Sequence, residues 1–475
     1  MSDEQSIVPT VAAEASAADT ALPLQNSGAP TGSIAWLLIA LALPMLGEQV
    51  LVFLVGLVDT FLAGRINKEA TMAVGSAMYM AWFINLGLSL VGTGAAALVS
   101  RAVGARDSRT AQHTVNQGIV MSAFMGLVVA ALAFGAAPLM ARAFTQTDVS
   151  QAYCEHFLRI IAIGYVLTSV NQVGSALLRA SGDTLTPMLI MLFVNVINAS
   201  VSSALVFGWF GPSLGITGIA IGAVTARSIG GLIMLGVLAR GVRGLKLERS
   251  LLRPDFQLQK RILRIGLPAA GDTTLFATAQ FTFVSIVAHT GAGELGTAGF
   301  AAHVIAMQAE AISYMPAIAW GTAGGTLVGQ FLGAGQGARA SRAGHLAALQ
   351  SGCYGLFTGT LFFVLASTIY GVMSDDPAVR EIGIPPFRVL AFVEPWLCAG
   401  IAYMYSLRGA GDTRTMMLLS LFCSLGLRVP VAFLCGIVLH GGLLGAWLGM
   451  WSDNFMRFVL ATWRFTGGAW KKLRV

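Results

Sequence analysis

The chain has 475 residues, 56% of them apolar and only 11% charged, with a mean hydropathy of +0.74. A soluble domain carries roughly 25% charged residues, so this composition cannot cover a water-facing surface. Apolar runs of about 20 residues, the length that crosses a hydrocarbon core, recur along the chain. None alternates at the period of two that a membrane barrel requires. The fold class expected is an all-α polytopic membrane protein.

Residues 1–32 are rich in Ala, Ser and Pro, with Asp3, Glu4, Glu14 and Asp19 as the only charges. This reads as a disordered tail. It lacks the basic region followed by an apolar stretch that marks a signal peptide. Turn residues and charges then divide the apolar runs into twelve spans: 34–61, 70–101, 112–138, 155–179, 186–209, 214–239, 262–289, 299–332, 344–372, 384–407, 414–438 and 443–466. Residues 33–239 form an N-lobe of six spans, 240–261 a linker, 262–466 a C-lobe of six, and 467–475 a basic tail. An even number of spans puts both termini on one side.

The connections after even-numbered spans hold Arg101, Arg106, Arg109, Arg179, Arg339, Arg342, Arg408 and Arg414, and residues 240–264 add eight basic residues. Those after odd-numbered spans hold only Arg65, Lys68, Arg142 and Arg380. The bias places both termini in the cytoplasm of a bacterial inner membrane. It also accounts for the net charge of +7 without a nucleic-acid partner. The five cysteines form no CxxC pair and read as small buried hydrophobes. Residues 291–296, GAGELG, match GxGxxG in form, but they join two membrane spans with no strand before them and carry no nucleotide-site meaning. No Walker A sequence is present, so no ATP site is visible.

The chain repeats itself. LLRASGDTLTPM at 177–188 returns as SLRGAGDTRTMM at 406–417, with seven of twelve positions identical at an offset of 229. LPMLGE at 43–48 returns as LPAAGD at 267–272, an offset of 224. GTGAAALVSRAVGAR at 92–106 answers GTAGGTLVGQFLGAG at 321–335, and Gly215, Gly218 and Gly222 answer Gly442, Gly445 and Gly449. Spans 1–6 and 7–12 are therefore two copies of one unit, and six being even, the copies are parallel repeats about an axis along the membrane normal. Two such bundles enclose a V-shaped cleft, and rocking one against the other opens it to alternate sides. The LRxxGDT phrase falls at the cytoplasmic ends of spans 4 and 10. Gly182 and Gly411 break the helix, Asp183 and Asp412 can cap the next one, and Arg179 and Arg408 lie at the headgroup boundary. These six residues, with Pro44 and Pro268, read as structural hinges.

These motifs resemble the MATE (multidrug and toxin extrusion) transporter family. The matching stretches are LPMLGEQVLVFLVGLVDTFLAGR in span 1, VNVINASVSSALVFG in span 5, LGITGIAIGAV opening span 6, LVGQFLGAG ending span 8 and the two LRxxGDT turns. Their form is closer to the DinF-like than the NorM-like branch. The resemblance implies a secondary active antiporter, monomeric and not an enzyme. It would export cationic or amphiphilic drugs or toxins in exchange for protons, or alternatively Na⁺, with no other cofactor. It also implies that Asp59 in GLVDTFLAG is the cation or proton site, with Asn198 in span 5 and Asn171 in a shared network. The acid that some members carry four residues after the span-5 asparagine is Ser202 here. The family's acids in helices 7 and 10 would fall near Phe276 and Leu397, out of register with Asp272 and Glu394.

Ionisable residues inside spans are functional candidates because they are costly in lipid. Here they are Glu48, Asp59, Arg227, Asp272, Glu310, Glu394, Arg428, Asp453 and Arg457. Asp453 and Arg457 are four apart and can bridge on one helix. Glu48 and Asp272 each follow a proline by four residues. They are expected to line the cleft for cationic substrates with Glu310, Glu394 and Tyr314; the alternative is a carboxyl bonded within its own lobe. Six acids against three bases favour a cationic or neutral cargo over the phosphate headgroup that a lipid-linked precursor flippase of the same architecture would take. A membrane-embedded transferase would need paired aspartate motifs in loops, and none is found.

Overall fold

The structure is a computed structural model. It describes residues 30–473 except 146, 210 and 292, with the side chains of 68, 76–88, 144 and 293–295 also left out. The expected tail at 1–29, the centre of GAGELG and residues 474–475 lie outside the described residues. Twelve long helical segments follow in order among the described residues: α1 Ile34–Ile66, α2 Lys68–Gly104, α3 Ser108–Phe144, α4, α5 Leu185–Phe207, α6 Gly215–Arg240, α7 Phe256–Ala288, α8 Gly293–Gly333, α9 Gly337–Met373, α10 Pro377–Gly409, α11 Thr413–Val438 and α12 Gly442–Thr466. No strand is described; Val242 and Leu245 form one isolated bridge. The chain is a multi-pass membrane protein. Seven of these helices are apolar enough on composition to cross a bilayer, and α4 makes an eighth. Four helices are not among these: α2, of which only Ser89–Gly104 counts as a shorter apolar helix among the described residues, and α7, α8 and α12, which carry polar residues such as Asp272, Glu310, Asp453 and Arg457 in their middle turns.

Two helices depart from simple rods. Helix α4 is a pair, α4a Asp148–Ile163 and α4b Tyr165–Ser181, bent by 59° at Gly164. Helix α11 widens into π-helical turns at 421–428 and 434–438, which rotates the side chains beyond them. Period counting assumes 3.6 residues per turn, so neither feature can appear in it.

The two sixes pack alike: α1 lies on α5 and α5 on α6, as α7 lies on α11 and α11 on α12. Lipid tails are as apolar as leucine, so close backbone approach by small residues holds such helices together. Gly222 lies against Ser202 of α5, and its repeat Gly449 lies against the Arg428 carbonyl and Ala432 of α11. Large side chains such as Trp36, Phe61, Leu132 and Leu139 point outward and are exposed, as a lipid-facing surface requires.

The apolar cores place the lobes relative to each other. At the end that carries the termini the cores are shared. Ile34, Leu38, Ala42 and Met45 of α1 pack with α8, α9 and α10, and Leu258, Ile262 and Ile265 of α7 pack with α2, α3 and α6. At the other end each core is private, one built of residues 62–220 and one of 283–451. Each lobe's first helix thus starts on the opposite lobe and crosses into its own, and the lobes diverge away from the shared end, the V of the expected architecture. The linker does not hang free. Asn116 and Gln117 of α3 bond the backbone at Lys246, Glu248, Leu251, Arg253 and Asp255 at 2.7–2.9 Å, and helix α7 begins already at Phe256.

A methyl group added at Gly449 would lie 2.4 Å from the Arg428 carbonyl oxygen, whereas one at Gly236 meets nothing within 4 Å. Gly449→Ala should cost about 2 kcal/mol through overpacking against backbone that cannot yield. Gly236→Ala should be neutral or slightly stabilising. The comparison is read from the temperature at which purified protein loses its monodisperse peak, and equal losses would count against the α11–α12 seam.

Candidate ion-coupling site

Helix α1 carries Glu48 and Asp59 eleven residues apart, three turns along nearly one face. Their surroundings are opposite. Glu48 accepts both bonds from one guanidinium nitrogen of Arg179, at 2.6 and 2.7 Å. Its repeat equivalent Asp272 is paired with Arg408 and also accepts from the Ser420 hydroxyl. The expectation that these acids line the cleft as free negative charge is corrected: each is neutralised within its own lobe. The LRxxGDT arginine reaches inward instead of resting at the headgroups, because a carboxylate in a helix bundle needs a partner close by. The glycine break is as the sequence reads, and of the two expected aspartate caps only Asp183 accepts from a backbone amide of the next helix. Gly182 and Gly411 have φ of 92° and 86°, the left-handed end that glycine permits. Asp183 accepts from the Thr186 amide at 3.1 Å. Asp412 accepts from the Thr415 hydroxyl at 2.7 Å and pairs with Arg464 of α12 at 2.7 Å.

Asp59 is buried and makes no ion pair among the described residues. One of its carboxyl oxygens has no hydrogen-bond partner among the described residues. Asn198 of α5 and Arg227 of α6 are its electrostatic neighbours. Both polar atoms of the Asn198 amide and the Ser202 hydroxyl one turn on are likewise buried and unpartnered. Asn171 of α4b lies against Gly230 of α6, which also meets Val194 one turn from Asn198, but it is not among the groups acting on Asp59. The arrangement is a buried acid beside the amide of Asn198, a setting that can take up a proton or a small cation with bridging water.

The C-lobe fills the same places differently. At the offset of 224, Phe283 stands where Asp59 would repeat. Arg428 of α11 lies over its ring at 5.7 Å. Arg428 also pairs with Asp453 at 2.8 Å and donates to Gln280 at 2.6 Å. Arg457 pairs with Asp453 at 3.0 Å, bonds Ser420 at 2.9 Å and reaches Ser424. A continuous chain of charges runs Arg428–Asp453–Arg457–Ser420–Asp272–Arg408. Glu310 and Glu394 lie beyond it, Glu394 fully buried with neither carboxyl oxygen partnered and in the field of Glu310; Tyr314 neighbours Glu310. Sequence reading missed Gln280, Ser420, Ser424 and Asn454. The spacing of Ser420, Ser424 and Arg428, four residues apart on one face opposite Asp453 and Arg457, was the available signal.

The model of the MatE family matches residues 44–204 and again residues 268–434, once in each lobe. The chain belongs to the MatE family. The match covers the family as a whole and neither its DinF-like nor its NorM-like branch. A Thermotoga maritima protein named as a probable multidrug resistance protein NorM is 29% identical over 92% of this chain and 93% of its own. A Pseudomonas putida protein of the same name is 30% identical over 89% and 92%. Among solved structures, one described as the outward-facing conformation of a multidrug resistance MATE family transporter of the MOP superfamily superposes with a TM-score of 0.83 at 20% identity, over 92% of this chain and 97% of that one. The MatE fold and the family's transport role apply; the chain is a transporter and not an enzyme.

Arg408→Met leaves Asp272, 1% exposed, as an uncompensated buried charge. The expected loss is about 3–5 kcal/mol, and Asp272→Asn in the same chain should restore most of it. Thermal stability of the two purified variants checks this; a single variant as stable as the parent would show that the pair does not hold α7.

Proposed function

We propose that this chain is a secondary active multidrug efflux antiporter of the bacterial inner membrane, with both termini cytoplasmic, which exports cationic or amphiphilic compounds in exchange for protons. The reading is supported by the names of the relatives and by one observation above all: Asp59 is a buried acid without an ion pair among the described residues, on the helix that crosses between the lobes. Such a group persists in an apolar span only if it is neutralised or solvated through a cavity. A proton neutralises it, and a cationic substrate or Na⁺ competes for the same charge. One site that cannot hold both ligands is an antiport mechanism. Asn198 supplies a donor to the ionised carboxylate and an acceptor to the protonated one, so it accommodates either state without moving far.

The mid-membrane charge balance favours the same cargo. Once the ion pairs are set aside, Asp453 having been shared by two arginines, the acids Asp59, Glu310 and Glu394 stand against Arg227 and one surplus arginine charge, three against two. A lipid-linked precursor with a phosphate headgroup would meet repulsion there, so the flippase reading is the weaker one. Substrate meets the apolar and aromatic walls of the cleft; Glu310 and Glu394, 7% and 0% exposed, are covered in this state. Na⁺ in place of H⁺ is the second coupling outcome of the test below.

Asp59→Asn mimics the protonated acid permanently. In everted vesicles it should leave membrane insertion unchanged and abolish gradient-driven efflux of a cationic dye. Collapsing the proton and the sodium gradients in turn on the parent protein names the coupling ion. Export by Asp59→Asn at the parent rate would remove Asp59 from the coupling role.

A further inference from the structure

The LRxxGDT turn makes contacts in two directions. Inward, its arginine side chain holds the acid of the crossing helix: Arg179 holds Glu48, and Arg408 holds Asp272. Outward, its carbonyls face the other lobe. A helix end leaves its last carbonyls without intrahelical donors, so they are available to a neighbour. Gln330 of α8 donates across the seam to the Ala180 carbonyl at 3.0 Å, and Thr326 reaches the Arg179 carbonyl at 3.4 Å. From the other side, Arg101 of α2 donates to the Ala410 carbonyl at 2.7 Å, and through its second terminal nitrogen to the Leu473 carbonyl of the C-terminal tail at 2.7 Å.

Arg101 and Gln330 are repeat equivalents, 229 residues apart. The contact is therefore crossed, with α2 of one unit reaching the turn of the other and α8 returning the contact. The backbones meet as closely as they can. A Cβ at Gly104 would lie 1.9 Å from the Gln330 carbonyl oxygen, and one at Gly333, again 229 residues on, 1.9 Å from that of Arg101. No larger residue fits either place while this end is shut.

We propose that Arg101 and Gln330 are positioning residues for transport, crossed latches that hold the terminus-bearing end closed, and that the two LRxxGDT turns tie these latches to α1 and α7. The inference rests on the alternating-access reading of the function. Any change in the bend of α1 moves Glu48, and with it the arginine whose own carbonyl and its neighbour's accept from α8. Opening the seam must break the same bonds from the other side. The two events share one rigid turn, so each biases the other. The latch acceptors are neutral carbonyls in both lobes, so the donors need only reach and hydrogen-bonding capacity, which explains how an arginine and a glutamine fill equivalent places.

The test uses the full-length protein with its five cysteines replaced and spin labels at Arg109 and Ala338, both exposed, on α3 and α9 beside the seam. Pulsed dipolar spectroscopy of the parent should give one short distance. Arg101→Ala and Gln330→Ala should each raise a longer-distance population about fivefold, the shift expected from one lost hydrogen bond of ordinary net strength. Arg101→Lys, which keeps a donor, should return part of it. If an alanine variant does not fold, Arg101→Gln and Gln330→Asn shorten the reach without emptying the site and carry the same reading. Distance distributions that overlay the parent in both positions overturn the latch. The readout needs neither substrate nor gradient, so a transport assay that denies proton coupling while the seam still opens refutes the proposed function and leaves the latch standing.

Discussion

A charge inside a bilayer has no water to turn to, and most of this molecule's polar architecture follows from that constraint. Two pins, Glu48–Arg179 and Asp272–Arg408, satisfy it at equivalent points of the two lobes. Each joins the first helix of a lobe to the fourth, four residues beyond the proline that frees a carbonyl and permits a bend. The pin sits where the crossing helix leaves the opposite lobe and enters its own. Beside it the crossing helices are held by neutral bonds, such as Asn195 to the Leu51 carbonyl at 3.0 Å and Thr413 to the Ile265 carbonyl at 2.8 Å, and by apolar contacts, which in lipid have no hydrophobic drive behind them. The same cost explains why both pins were duplicated with the unit: losing one partner strands the other.

Motion is confined by the same packing. At the shared end, helices of both lobes interdigitate in common cores and the backbones of α2 and α8 touch through glycines. At the far end each lobe has its own core and is complete without the other. Two rigid bodies joined at one end and independent at the other can rock. Packed cores have discrete arrangements and do not stretch continuously, so rocking proceeds by breaking one seam as a unit.

Much of this was legible in the sequence. Twelve spans follow from apolar run length, and the parallel repeat follows from offsets that drift only between 224 and 229. The LRxxGDT turns follow from glycine at a left-handed helix end. What escaped was azimuth. Sequence gives the height of Glu48 along α1 but not the direction it faces relative to a residue 131 positions away, so it was assigned to the cleft. The repeat did hold the answer: an acid in the first helix and a base at the end of the fourth recur together in both halves, at nearly equal offsets. The bend at Gly164 and the π-helical turns of α11 escaped for another reason. They are set by tertiary packing, and the sequence there offers only Gly164 in α4 and Pro430 with Gly426 and Gly436 in α11 as breakers, none of which specifies a bend angle or a π-helical turn.

The two lobes give different answers at one position of the fold, and the difference bears on mechanism. Asp59 in the N-lobe corresponds to Phe283 in the C-lobe; Asn198 of α5 neighbours the first, and Arg428 of α11 lies over the ring of the second. In the C-lobe the fixed cations Arg428 and Arg457 share Asp453 through bonds that are part of the chain, two charges against one, with Arg428 also in the field of Glu310. Those bonds need no ion from outside the protein. In the N-lobe no described residue is bonded to Asp59 in this way, so its charge must be met by something exchangeable. A duplicated unit with two exchangeable acids at this point would hold its lobes in matching states. With one exchangeable and one fixed, under the proposed mechanism, the ion acts on the N-lobe at this point, and the buried, unpartnered Glu394 of the C-lobe stands at another position of the repeat. The C-lobe serves as the reference body against which α1 bends, and its density of internal ion pairs suits it to stay rigid.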